Sequence, residues 1–338
     1  MRAKSQDKPE PRTAKTTITG VLSLGQLLEH RPTPAPALIE PGLLPPSGIL
    51  FLGGEPKSGK SILVANLALA LAAGGDHAGF TVPSPKRVLI CQFELPTPQF
   101  ALRLTPMRQP IGRAADSNLF IDTAASGHLL SAPRGWDHFL RAIETAKADV
   151  VILDPLYSTH DQDENDTRAM ATLCQTLLRL RDTSGAALII VHHSKKVVGR
   201  HEIGSAFRGS SALHAVGDSY LLLVRSSPQT STVELRFQFR YAPATPPRTF
   251  ALNPETLWFE PASSTTPPVN TPPPARHKVE TTDVQRALAS SGSARFNQLR
   301  ETIMNQSECS RRTAQLAIRR ACKEGSIVQD NGQYRLPL

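Results

Sequence analysis

Between residues 51 and 75 the chain reads FLGGEPKSGKSILVANLALALAAGG. A short apolar run meets Gly54-Glu55-Pro56-Lys57-Ser58-Gly59-Lys60-Ser61, and a longer apolar run follows. The octet fits the spacing G-x-x-x-x-G-K-[ST], and it lies between a strand-like and a helix-like segment, where that motif belongs. Glycines let successive backbone N–H groups close around a phosphate, and the start of a helix adds partial positive charge. Lys60 is placed to reach the β- and γ-phosphates of a nucleotide, and the Ser61 hydroxyl to ligate a metal. The expected ligands are therefore ATP and Mg²⁺.

Holding a nucleotide is not yet an activity. Hydrolysis also needs a carboxylate beside the metal and a group that aligns water. VVILDP ends an apolar run at Asp154, which supplies the first. LICQFE ends at Glu94. A carboxylate at the C-terminal end of a parallel strand faces the ligand crevice of an α/β sheet, so Glu94 is the candidate for activating water. IIVHHSKK ends with His192 and His193. Neighbouring strand residues point to opposite faces, so one of the two histidines is expected to approach the γ-phosphate.

These residues need a frame. GILFLGG reads as a buried strand and Lys60 to about Ala73 as a helix. Arg87 to Glu94 and Asn118 to Thr123 read as the next two strands, WDHFLRAIETAK as a helix, and ADVVILDPL as a fourth strand. The helix DTRAMATLCQTLLRLRDTSG and the strand AALIIVHHS follow. Strands that are apolar throughout and alternate with helices predict a mainly parallel sheet covered on both faces. SYLLLVR, TVELRFQFR and TFALN are closely spaced, which predicts antiparallel strands extending that sheet.

Length and composition bound the rest. A chain of 338 residues, 40% hydrophobic, has room for about two domains. Residues 1–16 are polar and basic without an apolar stretch and read as a disordered arm; LSLGQLLEH reads as a short helix before a proline-rich lead-in. The longest apolar run, Ile62 to Ala73, is too short to span a membrane, so no membrane partner is expected. Cys91, Cys174, Cys309 and Cys322 are scattered without a C-x-x-C pair, which suits a reducing cytoplasm. Residues 17–260 are expected to form the nucleotide-binding domain, 261–279 a proline-rich linker, and 280–338 a separate module. The net charge of +9 suits a polyanionic partner.

The last module carries much of that charge, with 11 Lys and Arg against 6 Asp and Glu from Arg276 onward. Thr282 or Asp283 is expected to cap a helix running to about Ser290. Phe296 to Met304 reads as a second helix, and Ser310 as the cap of a third from Arg311 to about Lys323. SIVQDNGQYRL predicts a hairpin turning at Asn331-Gly332. Three helices and a hairpin predict a winged helix-turn-helix, with Arg311, Arg312, Arg319 and Arg320 on the third helix as candidate DNA contacts. A protein-docking role for the same module is the alternative.

With these residues in place, the chain resembles the RecA-type ATPases. More narrowly, it is similar to the branch that holds plasmid RepA hexameric helicases, DnaB-type helicases and related mobile-element ATPases. GGEPKSGKS, CQFE, VVILDPL, IIVHHSKK, FRGSSALHAVGDSYLLL and FRYAP carry the resemblance across about residues 45–260. It implies a RecA-like P-loop core in which Glu94 is the catalytic glutamate, Asp154 the Walker B aspartate and His193 the γ-phosphate sensor. Arg208, opening RGSSAL, matches a loop that faces either the central channel or a neighbouring nucleotide. Arg240 in QFRYAP matches an arginine inserted into the next subunit's site. Gln238 and Ala242 stand where that segment usually has lysine and glycine, so one charge supplied in trans is missing. The resemblance implies a hexameric ring, DNA and replication or primase proteins as partners, and a replicative helicase of a plasmid, phage or integrated element. An ATP-switched loader or replication regulator, or a DNA-binding repressor whose ATPase sets its oligomeric state, is the alternative.

Overall fold

A computed structural model describes residues 21–29, 35–194, 203, 207, 211–225, 232–262, 279–289, 292–307, 309, 311–330 and 332–337. The chain divides into two units, Met1–Ala262 and Ser263–Leu338.

In the first unit, Ile49–Gly54 forms β1, buried at every position as an interior parallel strand requires. Lys60–Ala73 forms α2, whose residues from Leu63 to Ala72 are all buried. A helix apolar on every side is a core helix. Its one polar interruption, Asn66, is satisfied inside the core, donating to Leu257 O and accepting from Phe259 N. Upstream, Leu24–Glu29 forms α1, a short helix with no buried residue. The small strands Gly75–His77 (β2) and Phe80–Val82 (β3) pair with each other.

The main sheet continues with Val88–Gln92 (β4), Leu119–Asp122 (β5), Val150–Asp154 (β6) and Ala187–His193 (β7). Thr97–Arg108 forms α3, Pro133–Ala146 α4 and Thr167–Ser184 α5. Beyond them lie Ser211–Val216 (α6), Ser219–Arg225 (β8), Thr232–Phe239 (β9), Arg248–Leu252 (β10) and Phe259–Pro261 (β11). The nine strands run in the order β11-β10-β9-β8-β1-β7-β6-β4-β5. One apolar cluster joins the sheet to α2 and α3 through Leu50, Leu52, Phe100 and Met107. A second joins the other face to α4 and α5 through Phe51, Phe139, Leu173 and Leu177.

Two expectations change. Ser219–Arg225 is parallel to β1, not antiparallel, with Leu50 opposite Ser219 and Gly54 opposite Leu223. The chain between His193 and Ser219 exceeds the dozen or so residues that a parallel crossover needs. The antiparallel extension begins one strand later, at β9. The helix α3 has no counterpart among the elements predicted above, although Phe100, Leu104 and Met107 share one helical face and all pack on the core.

The second unit holds Thr281–Ala289 (α7), Ser293–Arg295 (β12), Phe296–Gln306 (α8), Arg311–Lys323 (α9), Val328–Asp330 (β13) and Gln333–Arg335 (β14). Val284, Leu288, Leu299, Ile303, Ala317 and Ile318 form its core. β12 adds a third strand to the expected hairpin, paired to β14. The first helix starts earlier than expected, so Thr282 and Asp283 lie inside its first turn. Asp283 instead reaches back to accept from Glu280 N, as the third residue of a capping box does. Ser310 and Asn331 lie outside the described residues.

Candidate active site

β1, β6 and β7 are neighbours or near neighbours in one parallel array, so their C-terminal ends open on the same side of the sheet. The loop after β1 turns sharply there. Lys57 has φ of 61° and Gly59 of 105°, left-handed conformations that glycine adopts without strain. A Cβ at Gly59 would stand 3.0 Å from the Phe259 ring, and one at Gly54 would stand 2.8 Å from Ser58 Oγ. Both glycines are thus required by close approach. Glu55, Pro56 and Lys57 form the outer, more exposed rim of the loop, while Ser58 is buried.

Lys60 is 5% exposed at the first position of α2. Its ammonium donates to Gly54 O and Glu55 O, each at 2.9 Å. Burial pushes its pKa down to about 8, opposed by the carboxylates of Asp154 and Glu94. Ser61 Oγ donates to Asp154 Oδ1 at 3.3 Å, joining the two residues expected to hold a metal. Burial pushes the Asp154 carboxyl up to about 6, with the Ser61 hydrogen bond working against that shift and Glu94 adding to it.

Lys60, Ser61, Glu94, Asp154 and His193 line one cavity of about 320 Å³, together with Lys57, Gly59 and Gln92. Strand β4 stops at Gln92, so Glu94 lies two residues past the strand end on an exposed turn. It reaches the cavity although β7 and β6 separate β4 from β1. His193 faces this cavity, while His192 turns to the opposite face beside Phe207 and Glu164. That is the alternation expected of consecutive strand residues.

The cavity lining fits a phosphate-bearing ligand. Of the residues lining the cavity, His193 has a buried Nδ1 without a protein partner; Ser58 Oγ and Ser194 Oγ, beside lining residues in the chain, are likewise buried and unpartnered among the described residues. Such groups are costly unless something polar meets them. The loop's close-packed glycines leave backbone N–H groups at a helix start, and Ser61 with Asp154 provides the oxygen donors that Mg²⁺ prefers.

Sequence reasoning missed two residues of this site. Arg103 on α3 lines the cavity and acts electrostatically on Asp154. The spacing of Phe100, Leu104 and Met107 would have revealed the helix that carries it. Tyr157, three residues past Asp154, donates to Glu94. No pattern announces it, because a turn residue beyond a strand end has no periodicity.

The remaining candidates lie elsewhere. Arg240 donates to Ala215 O at 2.9 Å and approaches Asp218 at 3.5 Å. Asp218 in turn accepts from Ile49 N, at the start of β1. Arg240 therefore sits by the N-terminal end of β1, about one β1 length or 16 Å from its own phosphate loop. Arg208 lies outside the described residues. On α9, Arg311, Arg312, Arg319 and Arg320 are all exposed.

His192 gives a pH-dependent consequence. It is 6% exposed, and burial, with the charges of His193, His160 and Lys60, pushes its pKa down to about 4 from 6.5. The unfolded chain then binds the extra proton between pH 6.5 and 4, so this group removes stability as pH falls through that window. The effect reaches on the order of 3 kcal/mol at the acid end. Asp154, raised by burial, acts with the opposite sign over part of that range. His192→Asn is expected to flatten the fall in Tm between pH 6.5 and 4 relative to the native protein. Parallel Tm curves for the two would place the acid sensitivity in other groups.

A family model described as an AAA domain matches residues 10–198. No curated protein matches the chain. Among solved structures, it is similar to one titled as a DnaB-like replicative helicase and its interactions with primase. The TM-score there is 0.50 at 15% identity, covering 64% of this chain and 57% of that one. A solved ATPase domain gives a TM-score of 0.49 at 15% identity, over 64% of this chain and 85% of the other. A KaiC-like protein from Pyrococcus horikoshii gives 0.45 at 14%, over 66% and 94%. At these identities the likeness is one of fold.

Proposed function

The chain belongs to the AAA domain family and has a RecA-like P-loop core, and from that premise we propose that it is an ATP-hydrolysing motor acting on DNA. The single observation that carries the proposal is the convergence of Lys60, Ser61, Glu94, Asp154 and His193 on one cavity at the C-terminal edge of parallel strands.

In this reading the loop's N–H groups and Lys60 hold the β- and γ-phosphates. Ser61 and Asp154 hold Mg²⁺, which when bound neutralises phosphate charge. Glu94 takes a proton from water as the water oxygen bonds to the γ-phosphorus and the bond to the bridging oxygen breaks, leaving ADP and phosphate. His193 Nδ1 meets the γ-phosphate. Arg240, too far from its own loop, serves the nucleotide of a second copy in a ring, which requires it to leave Asp218. Such arginines contribute roughly 10³-fold or more in rate.

The second unit is read as a winged helix. Its three helices, small sheet and exposed arginines on α9 support binding to a DNA backbone, with Arg312 and Arg319 on one side of the helix and Arg311 on another. A replicative helicase of a plasmid, phage or integrated element, working beside a primase as the DnaB-like neighbour's title describes for that protein, is the most specific form of the proposal. No helix among the described residues is long and apolar enough to cross a membrane.

The test is ATP hydrolysis with and without single-stranded DNA, beside strand displacement and a mass measurement in ATP. Stimulated hydrolysis with displacement by a ring supports the motor. Stimulation without displacement favours the loader or regulator. Truncation at about residue 275 is expected to weaken duplex binding and its steep salt dependence while sparing basal hydrolysis. Full duplex affinity in the truncated protein would make the second unit a docking module.

A further inference from the structure

Tyr157 has no part in the mechanism above, yet it touches two of its residues. It sits in the 3₁₀ turn Leu156–Thr159, directly after the Asp154-Pro155 end of β6. Its hydroxyl donates to Glu94 Oε1 at 2.5 Å. Its ring stacks on His193 with centroids 5.5 Å apart and an interplanar angle of 28°. One side chain thus bridges the groups assigned to water activation and to the γ-phosphate, from the turn that follows the aspartate assigned to the metal.

Glu94 needs such a partner. It lies beyond the end of β4 on an exposed turn, and Tyr157 supplies the hydrogen bond that its carboxylate receives among the described residues. An exposed glutamate samples several rotamers, and confining a side chain of that length has an entropic cost. A general base acts only within hydrogen-bond reach of the proton it takes. The turn that carries Tyr157 is firmly held: Leu156 and Thr159 are fully buried, and Thr159 Oγ1 donates to Leu156 O at 2.7 Å. The phenol therefore transmits the order of the core to an otherwise unconstrained carboxylate.

We infer that Tyr157 is a positioning residue for hydrolysis, holding Glu94 by Oε1 so that Oε2 faces the attacking water, and keeping that carboxylate aligned with His193 through the ring contact. The inference rests on the reading of Glu94 as the general base. The hydroxyl is not consumed and transfers no proton. Because the phenol touches Glu94 and not the phosphate loop, its removal acts on turnover and not on nucleotide affinity.

The experiment compares steady-state hydrolysis of MgATP by the full chain and its variants, with Tm measured for each. Tyr157→Phe keeps the ring and deletes the donor. It is expected to lower kcat about tenfold, with KM for ATP within about twofold of the native value. Tyr157→Ala, which removes ring and donor together, is expected to lower kcat at least as far as Tyr157→Phe. Glu94→Asp supplies the readout that a structural role would not move. Its carboxylate is one methylene shorter and out of the phenol's reach, so adding Tyr157→Phe to it is expected to change kcat less than about twofold. An unchanged kcat in Tyr157→Phe overturns the inference, as does an equal loss in the native and Glu94→Asp backgrounds. Native turnover by Glu94→Gln would instead show that the assignment of the base had failed.

Discussion

Glu94→Gln is expected to bind ATP with native affinity while turnover falls by about 10²–10⁴-fold. The amide matches the carboxylate in size, so the turn after β4 is undisturbed and Tyr157 can still donate to a carbonyl-type oxygen at the same place. What disappears is the capacity to take a proton from water. In the proposed reading the phosphates are held by the loop and Lys60, so the loss of Glu94's charge is expected to leave nucleotide affinity unchanged. Single-turnover hydrolysis beside nucleotide binding measures the two effects separately. Native turnover would move the role of base to Asp154 or His193. Of these, Asp154 is already committed to Ser61.

Lys60→Ala is expected to lose both nucleotide affinity and turnover, the latter by about 10²–10³-fold, the scale observed when one donor to a developing anion is removed. The ammonium is held within the loop by Gly54 O and Glu55 O, so it is oriented before any phosphate arrives. Burial pushes its pKa down to about 8, which still leaves it mainly charged at neutral pH. Its attraction to phosphate is strengthened by the same burial, since little water screens it. Alanine keeps the helix start, so Tm should stay close to native while nucleotide titration shows the loss. Hydrolysis at the native rate would place the nucleotide elsewhere.

Much of this site was legible because its signals are local. A phosphate loop needs glycines, a lysine and a hydroxyl at set spacing, and those constraints are written along eight consecutive residues from Gly54 to Ser61. Asp154 and the two histidines were found because strands buried on both faces read as apolar runs, and a polar residue ending such a run stands out. The alternation of His192 and His193 followed from the two-residue period of a strand. Arg103 and Tyr157 escaped because Arg103 lines the cavity and Tyr157 meets Glu94 and His193 only through contacts between residues far apart in the chain. The direction of β8 escaped for a similar reason. Strand polarity depends on how the preceding segment crosses over, and spacing between apolar runs does not encode it.

The sequence by itself determined which residues can carry the chemistry and the order in which the elements bear them, because hydrophobic periodicity and loop chemistry act over a few residues. The tertiary structure decided which of them meet. It brought Glu94 to the phosphate loop across two intervening strands, joined it to Tyr157, and set Arg240 against Asp218 at the N-terminal end of β1. Those outcomes follow from strand order and register. Both are properties of the whole sheet, selected by burying its two faces together, and no short stretch of chain contains them.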